Sequence, residues 1–255
     1  MKNYHTHTTR CHHAVGDDRE YVEAAIKAGI EELGFSDHAP MIFGNNHKST
    51  FRMALSDTED YVNSVLSLQK EYKDKISIKL GFELEYYPVL FQKELEYLKT
   101  FNYDYLILGQ HYTDNEFEKS AHYSGRVTRK ISILDKYISQ CIEGLSTGEF
   151  AYIAHPDLIN YSGNSELYIA KMTYFCEKLK ELDVPLEFNL LGFSDKRNYP
   201  NSLFWKIVSE VGNKVIIGFD AHNPTALENL NTYNNALEYL NKLNITPIDT
   251  MNFKK

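Results

Sequence analysis

Seven short runs of apolar or strand-favouring residues recur along the chain, at 4–7, 33–37, 76–83, 103–109, 151–155, 184–189 and 215–220, and each reads as a β-strand. Between them, apolar residues return at three- and four-residue spacing, as in a helix with one buried face. Tyr21, Ala24, Ala25 and Ala28 make one such face, stopped near Gly29, and Tyr61, Val65, Leu66 and Leu68 make another within 57–72. The same spacing predicts helices over 130–145, 166–182, 203–211 and 225–243. Strands separated by helices imply a parallel sheet, because parallel neighbours need a long crossover. Seven such units in 255 residues suit a closed (β/α) barrel better than an open sheet. No low-complexity linker divides the chain, so one α/β domain over 1–255 is expected.

Composition narrows this picture. Hydrophobic residues are 43% of the chain and charged residues 24%, the balance of a globular protein. No segment approaches the ~20 apolar residues that span a bilayer, and the first ten residues lack a signal-peptide core, so a cytoplasmic protein without a membrane partner is expected. A net charge of −8 with no basic arm argues against broad nucleic-acid binding, which depends on displacing counterions from phosphates. Cys11, Cys141 and Cys176 are far apart and include no C-x-x-C pair, which suggests neither disulfides nor a thiolate metal site. Cys11 lies close to a histidine cluster but reads first as a small packing residue.

The chemistry is concentrated at strand ends. His5 and His7, Asp37 and His38, Glu83, His111, His155, and Asp220 with His222 each fall at or just after a predicted strand. In a parallel barrel all the carboxyl ends converge on one face, so groups two hundred positions apart can share a pocket. Seven of the ten histidines belong to this set or, like His13, to the loop just after it. His5-Thr6-His7 sets two imidazoles on one side of a strand, and Asp220-Ala221-His222 repeats that spacing with a carboxylate. Any one of these reads most simply as a hydrogen-bonded core histidine; the whole series does not. Imidazole and carboxylate ligands without thiolate suit zinc, iron(II) or manganese. About nine candidate ligands exceed what one ion needs, so two or three divalent ions are expected, an arrangement that can clamp a phosphoryl group.

In order, the H-x-H, Cys11-His12-His13-Ala14, Ser36-Asp37-His38, the strand-end Glu83, Gly109-Gln110-His111, Ala154-His155-Pro156-Asp157 and Asp220-Ala221-His222 resemble the polymerase and histidinol phosphatase (PHP) family. Tyr4-His5-Thr6-His7-Thr8, Gly34-Phe35 and Arg52-Met53 bring it nearer the histidinol-phosphate phosphatase branch, and the likeness runs from about residue 3 to about 225. The resemblance implies a distorted (β/α)7 barrel with a trinuclear site. By motif, His5, His7, Glu83 and Asp220 would hold one ion, with Glu83 bridging to a second held by His111 and His155. His13, with His12 as its rival, would join His38 and His222 around a third, while Asp37 and Asp157 would orient their neighbouring histidines. Arg197 would clamp the phosphate, with Arg52 second and Lys48, His47 and Arg126 unranked; Asp220 or a cluster histidine such as His222 would handle protons. Gln110 stands where the branch has a small residue, which would alter the pocket's shape. The implied activity is hydrolysis of L-histidinol phosphate to L-histidinol and phosphate in histidine biosynthesis. Glu85, Asp114, Glu116 and Glu118 are available to read the substrate's amine and imidazole. The alternatives are another small phosphorylated metabolite, a phosphodiesterase or exonuclease of the same family, and a metal-binding module without catalysis.

Overall fold

The computed structural model describes residues 1–45, 47–251 and 253. Seven strands, all parallel, lie side by side in sequence order: β1 (Lys2–Asn3), β2 (Glu32–Phe35), β3 (Ser77–Leu84), β4 (Tyr105–Leu108), β5 (Tyr152–Ile153), β6 (Leu186–Asn189) and β7 (Val215–Gly218). The helices that follow them cover the outside: α1 (Asp18–Lys27), α2 (Thr58–Glu71), α3 (Phe91–Leu98), α4 (Ile131–Ser146), α5 (Ser165–Glu181), α6 (Leu190–Asp195), α7 (Ser202–Val211), α8 (Pro224–Leu227) and α9 (Leu230–Lys242). The first and last strands do not form a ladder. They meet only beyond their ends, where Thr6 bridges to Ala221, the His7 amide donates to the Ala221 carbonyl (3.0 Å) and the Phe219 amide donates to Asn3 Oδ1 (3.0 Å). The result is a distorted seven-stranded barrel closed at its carboxyl end. At the other end the gap is taken by the C-terminal segment, whose Ile248 amide donates to the Val215 carbonyl (2.7 Å).

Period-two alternation assigns the two faces of each strand. On β3, Phe82 and Leu84 point outward into the apolar layer beneath the helices, while Gly81 and Glu83 point into the barrel. A Cβ at Gly81 would lie 2.5 Å from Tyr105 Cζ, so this position stays bare for the tyrosine that fills the lower barrel. Tyr105 donates its hydroxyl to the carbonyls of Tyr4 (2.8 Å) and Phe35 (3.1 Å), tying three strands together. With Tyr4, Ile107, Tyr152, Ala154 and Ile216 it forms an inner core separate from the outer one.

Four elements differ from the sequence expectation. Strand β1 is Lys2–Asn3 and ends before the run at 4–7, and a short helix, α6, follows β6 where none is expected. Helix α3 was not predicted, because its eight residues carry only Phe91, Leu95 and Leu98 as an inward stripe. The helix expected over 225–243 is two, broken where Asn229 leaves helical geometry and its side chain caps α9 by accepting from the Thr232 amide.

Candidate metal centre

The ligands at the carboxyl end sit just past regular pairing. The β2–β3 ladder continues through an isolated bridge between His38 and Glu83, which brings His38 Nδ1 within 3.0 Å of Glu83 Oε2. His155 and Asp220 follow β5 and β7 with left-handed φ angles of 31° and 51°, which are uncommon for non-glycine residues and cluster at functional sites. The abrupt turn aims both side chains back over the barrel mouth.

Glu83 and Asp220 are the two acidic centres. Glu83 Oε1 lies 3.0 Å from His155 Nε2 and 3.6 Å from His111 Nε2; its Oε2 lies 3.6 Å from both His5 Nε2 and His7 Nε2. Asp220 Oδ1 approaches His7 Nε2 (3.1 Å), His222 Nδ1 (3.3 Å) and His5 Nε2 (3.5 Å). Sets of three ligand atoms lying within 4.8 Å of one another include His5, His7 and Asp220; His5, Glu83 and His155; and His7, His38 and His222. All nine residues expected from the sequence therefore gather at one place. The grouping is more interleaved than expected, since the His7 ring lies closer to those of His38 (4.4 Å) and His222 (4.1 Å) than to that of His5 (5.1 Å). Both His12 and His13 are exposed, and it is His13 whose ring turns toward the cluster, with its Nε2 2.9 Å from His222 Nε2.

The side chains fit divalent ions on the strength of what they leave unpaired. His5 Nε2, His7 Nε2, Glu83 Oε2, His111 Nδ1 and His155 Nδ1 are buried without hydrogen-bond partners. A buried polar group left unsatisfied costs about 1–3 kcal/mol. His5 Nε2, His7 Nε2 and Glu83 Oε2 face one another and call for a shared partner of positive charge, whereas the unpaired Nδ1 atoms of His111 and His155 lie on the ring side away from Glu83. Electrostatics agree. Burial alone would raise Glu83 and Asp220, yet the surrounding imidazoles hold both well below the usual carboxylate range. Burial would lower His5, but Glu187, Asp220 and Glu83 lift it to about 10. Burial and the neighbouring His7 push His222 down to about 3, so neighbouring imidazoles divide into proton holders and proton losers.

Above the cluster opens a cavity of about 400 Å³. Its polar floor is His38, Glu83, His111, His155, Asp220 and His222, and its walls include Phe51, Tyr112, Tyr123, Leu158 and Leu191. Arg197 stands at the rim, its guanidinium paired with Asp195 (3.0 Å) and donating to the Tyr199 hydroxyl (3.2 Å). Several expectations need correction. Arg52 is fully buried between Glu85 and Glu116 (3.0 Å), its charge already neutralised, and it does not line the cavity. Nor do Lys48, His47 or Arg126, and His47 is bound to Glu116 at 2.8 Å. Glu85, Asp114, Glu116 and Glu118 also stay out of the lining; Glu85 instead accepts from the amides of His111 (2.8 Å) and Tyr112 (3.0 Å). Gln110 faces away from the cavity and braces the same turn, accepting from the Tyr86 amide and donating to the Tyr112 carbonyl.

The orienting carboxylates differ as well. Asp37 lies 3.3 Å from His7 Nδ1, so its ring partner is His7 and not its neighbour His38, whose amide it accepts instead. Asp157 makes no bond to the His155 ring. It accepts from the Asn201 amide (2.5 Å) and Trp205 Nε1 (3.1 Å) at the start of α7. A further orienting carboxylate, one absent from the sequence expectation, is Glu187 on β6, which reaches the His5 ring and the His155 amide. Its signal was an acidic residue at an inward position of a strand two residues before Asn189.

Residues 3–190 match the family described as PHP domain. The match ends before Asp220 and His222, which the barrel nonetheless returns to the site. A Deinococcus radiodurans protein named "Probable histidinol-phosphatase" is 28% identical over 224 residues, 86% of this chain and 85% of that one. The Bacillus subtilis histidinol-phosphatase is 31% identical over 121 residues, 44% of this chain and 45% of its own. Among solved structures, the histidinol phosphate phosphatase of Lactococcus lactis, complexed with zinc, L-histidinol and phosphate, superposes with a TM-score of 0.75 over 99% of this chain and 98% of that one. At 20% identity, that likeness is one of fold. The family match across most of the chain, on a seven-stranded parallel barrel whose carboxyl end gathers the expected histidines and carboxylates, shows that this chain belongs to the PHP domain family.

Proposed function

We propose that the chain is a metal-dependent phosphatase that hydrolyses a small phosphate monoester, L-histidinol phosphate, to L-histidinol and phosphate in histidine biosynthesis. The observation that carries this reading is the cluster of unpaired buried ligand atoms on the floor of a cavity with one arginine at its rim. The names of the relatives, and the ligands in the Lactococcus lactis structure, support the choice of substrate. In this reading the whole of 1–255 acts as one unit. Its three buried free thiols suit the reducing cytoplasm, and no helix among the described residues is long and apolar enough to cross a membrane.

The residues proposed to hold two or three ions of zinc, iron or manganese are His5, His7, Glu83 and Asp220, then His111 and His155 sharing Glu83, then His13, His38 and His222. Bound there, such ions would offset the charge of a phosphoryl group and make water a nucleophile at neutral pH. The remaining work falls to side chains. Arg197 swings from Asp195 to meet two phosphate oxygens, a geometry that lysine cannot match. The attacking water must lose a proton and the leaving alkoxide must gain one. A group on the cavity floor, Asp220 or a cluster histidine such as His222, takes the first and returns it to the alcohol. The aromatic wall of Phe51, Tyr112 and Tyr123 shelters the organic part of the ester.

Phosphate release should be compared for L-histidinol phosphate, other small monoesters and a short single-stranded oligonucleotide, with and without chelator. The reading expects chelator-sensitive turnover, restored by divalent metal and fastest on histidinol phosphate. Release of nucleotides instead of phosphate would favour the phosphodiesterase alternative, and metal-loaded protein inert towards every substrate would contradict catalysis altogether.

A further inference from the structure

Beneath the ligands lies a carboxylate that has no contact with the cavity. Glu187 is wholly buried on β6, and every oxygen it has is engaged. Its Oε1 is 2.7 Å from His5 Nδ1. Its Oε2 accepts from the His155 amide (3.0 Å) and from Asn189 Nδ2 (2.9 Å). Asn189 uses the same amide group to donate to Asp220 Oδ2 (3.0 Å), and its Oδ1 caps α6 by accepting from the Gly192 amide (2.9 Å). One side chain thus reaches His5 after β1, His155 after β5 and, through Asn189, Asp220 after β7.

The barrel makes room for it. A Cβ on Gly218 of β7 would lie 1.7 Å from Glu187 Oε1, so the neighbouring strand is bare where the carboxylate crosses. Placing an acid here is costly without compensation, since burial penalises a charged group unless it is paired and hydrogen-bonded. Three contacts engage its two oxygens, and each comes from a group that belongs to, or braces, a metal-facing residue.

We propose that Glu187 is the positioning residue of the site: it fixes the proton of His5 on Nδ1, so that Nε2 presents its lone pair to the cluster, and locks His155 and Asp220 in the same frame. The inference rests on the metal-site reading above and concerns one part of it. The ions proposed to be held by His5 and by His155 depend on Glu187. The ion proposed for His13, His38 and His222 has no ligand bonded to Glu187 and is expected to be independent. Partners of this kind, behind a ligating histidine, commonly set metal affinity within 10–100-fold.

Zinc is the probe. Metal-free wild type, Glu187→Gln and Gly218→Ala are titrated against buffered free zinc, with zinc per chain and the melting temperature of each metal-free protein measured on the same samples. Glu187→Gln keeps the shape and one acceptor oxygen but loses the charge; Gly218→Ala keeps the charge and displaces it. Both are expected to weaken the zinc equivalents held by His5 and by His155 about 10–100-fold and to leave the one held by His13, His38 and His222 at wild-type affinity. In ¹⁵N spectra of the zinc-loaded protein, the His5 ring is expected to show Nδ1 protonated in wild type and to shift in Glu187→Gln. Superimposable titrations for wild type and Glu187→Gln would overturn the inference while leaving the metal site intact. Equal weakening of every equivalent together with a lower melting temperature would also overturn it, since that marks a structural role only. A wild type that binds no zinc would remove the metal-site reading itself and this inference with it.

Discussion

The two ends of one barrel are built from the same strands to opposite ends. At the amino end, Tyr4, Tyr105, Tyr152 and Ile216 pack against one another and against Phe253, which stacks on Tyr105 with ring centres 4.7 Å apart. The Tyr4 hydroxyl donates to Glu32 and that of Tyr105 to two carbonyls. A few residues further along those strands, His5, His155 and Asp220 crowd buried nitrogens and carboxylates together and leave several without partners. The lower layer is stabilising and chemically silent. The upper layer pairs imidazoles with carboxylates and still leaves buried atoms that a bound cation would satisfy. Stability and chemistry are thus separated by one or two layers of side chains, as the convergence of strand ends in parallel barrels allows.

Substitutions at either end can break that contrast. The largest effect is expected for Glu83→Gln, which takes charge from the residue touching the most histidines. Turnover should fall about 10³-fold or more, roughly 4 kcal/mol of transition-state stabilisation. The metal-free protein should also melt below wild type, because the surrounding imidazoles hold the Glu83 carboxylate well below its usual range and its charge therefore stabilises the folded chain; an unchanged melting temperature would show that the cluster contributes nothing to the fold. Tyr105→Ala should act on stability alone. Loss of a buried ring and two hydrogen bonds is expected to cost about 3–5 kcal/mol in denaturant unfolding, roughly 10 °C in a chain of this size. Turnover per folded, metal-loaded molecule should stay unchanged, and a loss of turnover in that fraction would show that the lower layer tunes the site.

A smaller effect is expected away from both ends. Glu94 of α3 is buried against the Ile42 amide, and burial raises its carboxyl from 4.5 to about 7. The folded chain therefore keeps a proton that the unfolded chain has already released. This contribution to stability is greatest below pH 4.5, falls as pH rises to about 7 and is flat above, amounting to no more than about 3 kcal/mol. Glu94→Gln should remove that slope from plots of unfolding free energy against pH. An unchanged slope would show that Glu94 is ionised in the folded state.

Much of this was legible in the residues. The parallel sheet, six of its seven strands and the gathering of His5, His7, His38, Glu83, His111, His155, Asp220 and His222 follow from alternation and from where ligands fall relative to strand ends, whereas β1 lies at Lys2–Asn3, just before the run at 4–7. Long, strongly patterned segments read well; short ones such as α3 do not, because three apolar residues make a weak stripe. The partners of the charged residues were not legible. Arg52 looks like a phosphate ligand in sequence, and only three-dimensional contact shows Glu85 and Glu116 already holding it. Asp157 adjoins His155 in the chain, yet its carboxylate turns towards α7, while Glu187, 32 positions from His155, reaches that histidine's amide. Nearness in sequence misassigned the supporting groups because a strand end reverses direction there, at His155 and again at Asp220.

The central claim is that distant imidazoles and carboxylates converge to hold several cations at the carboxyl end of the barrel. Crystals of the zinc-loaded protein, measured at wavelengths on either side of the zinc absorption edge, test it most directly. Two or three anomalous peaks a few ångströms apart, among His5, His7, Glu83, His155, Asp220 and His222, are the expected result. No peak there, or a single ion elsewhere on the surface, would contradict it.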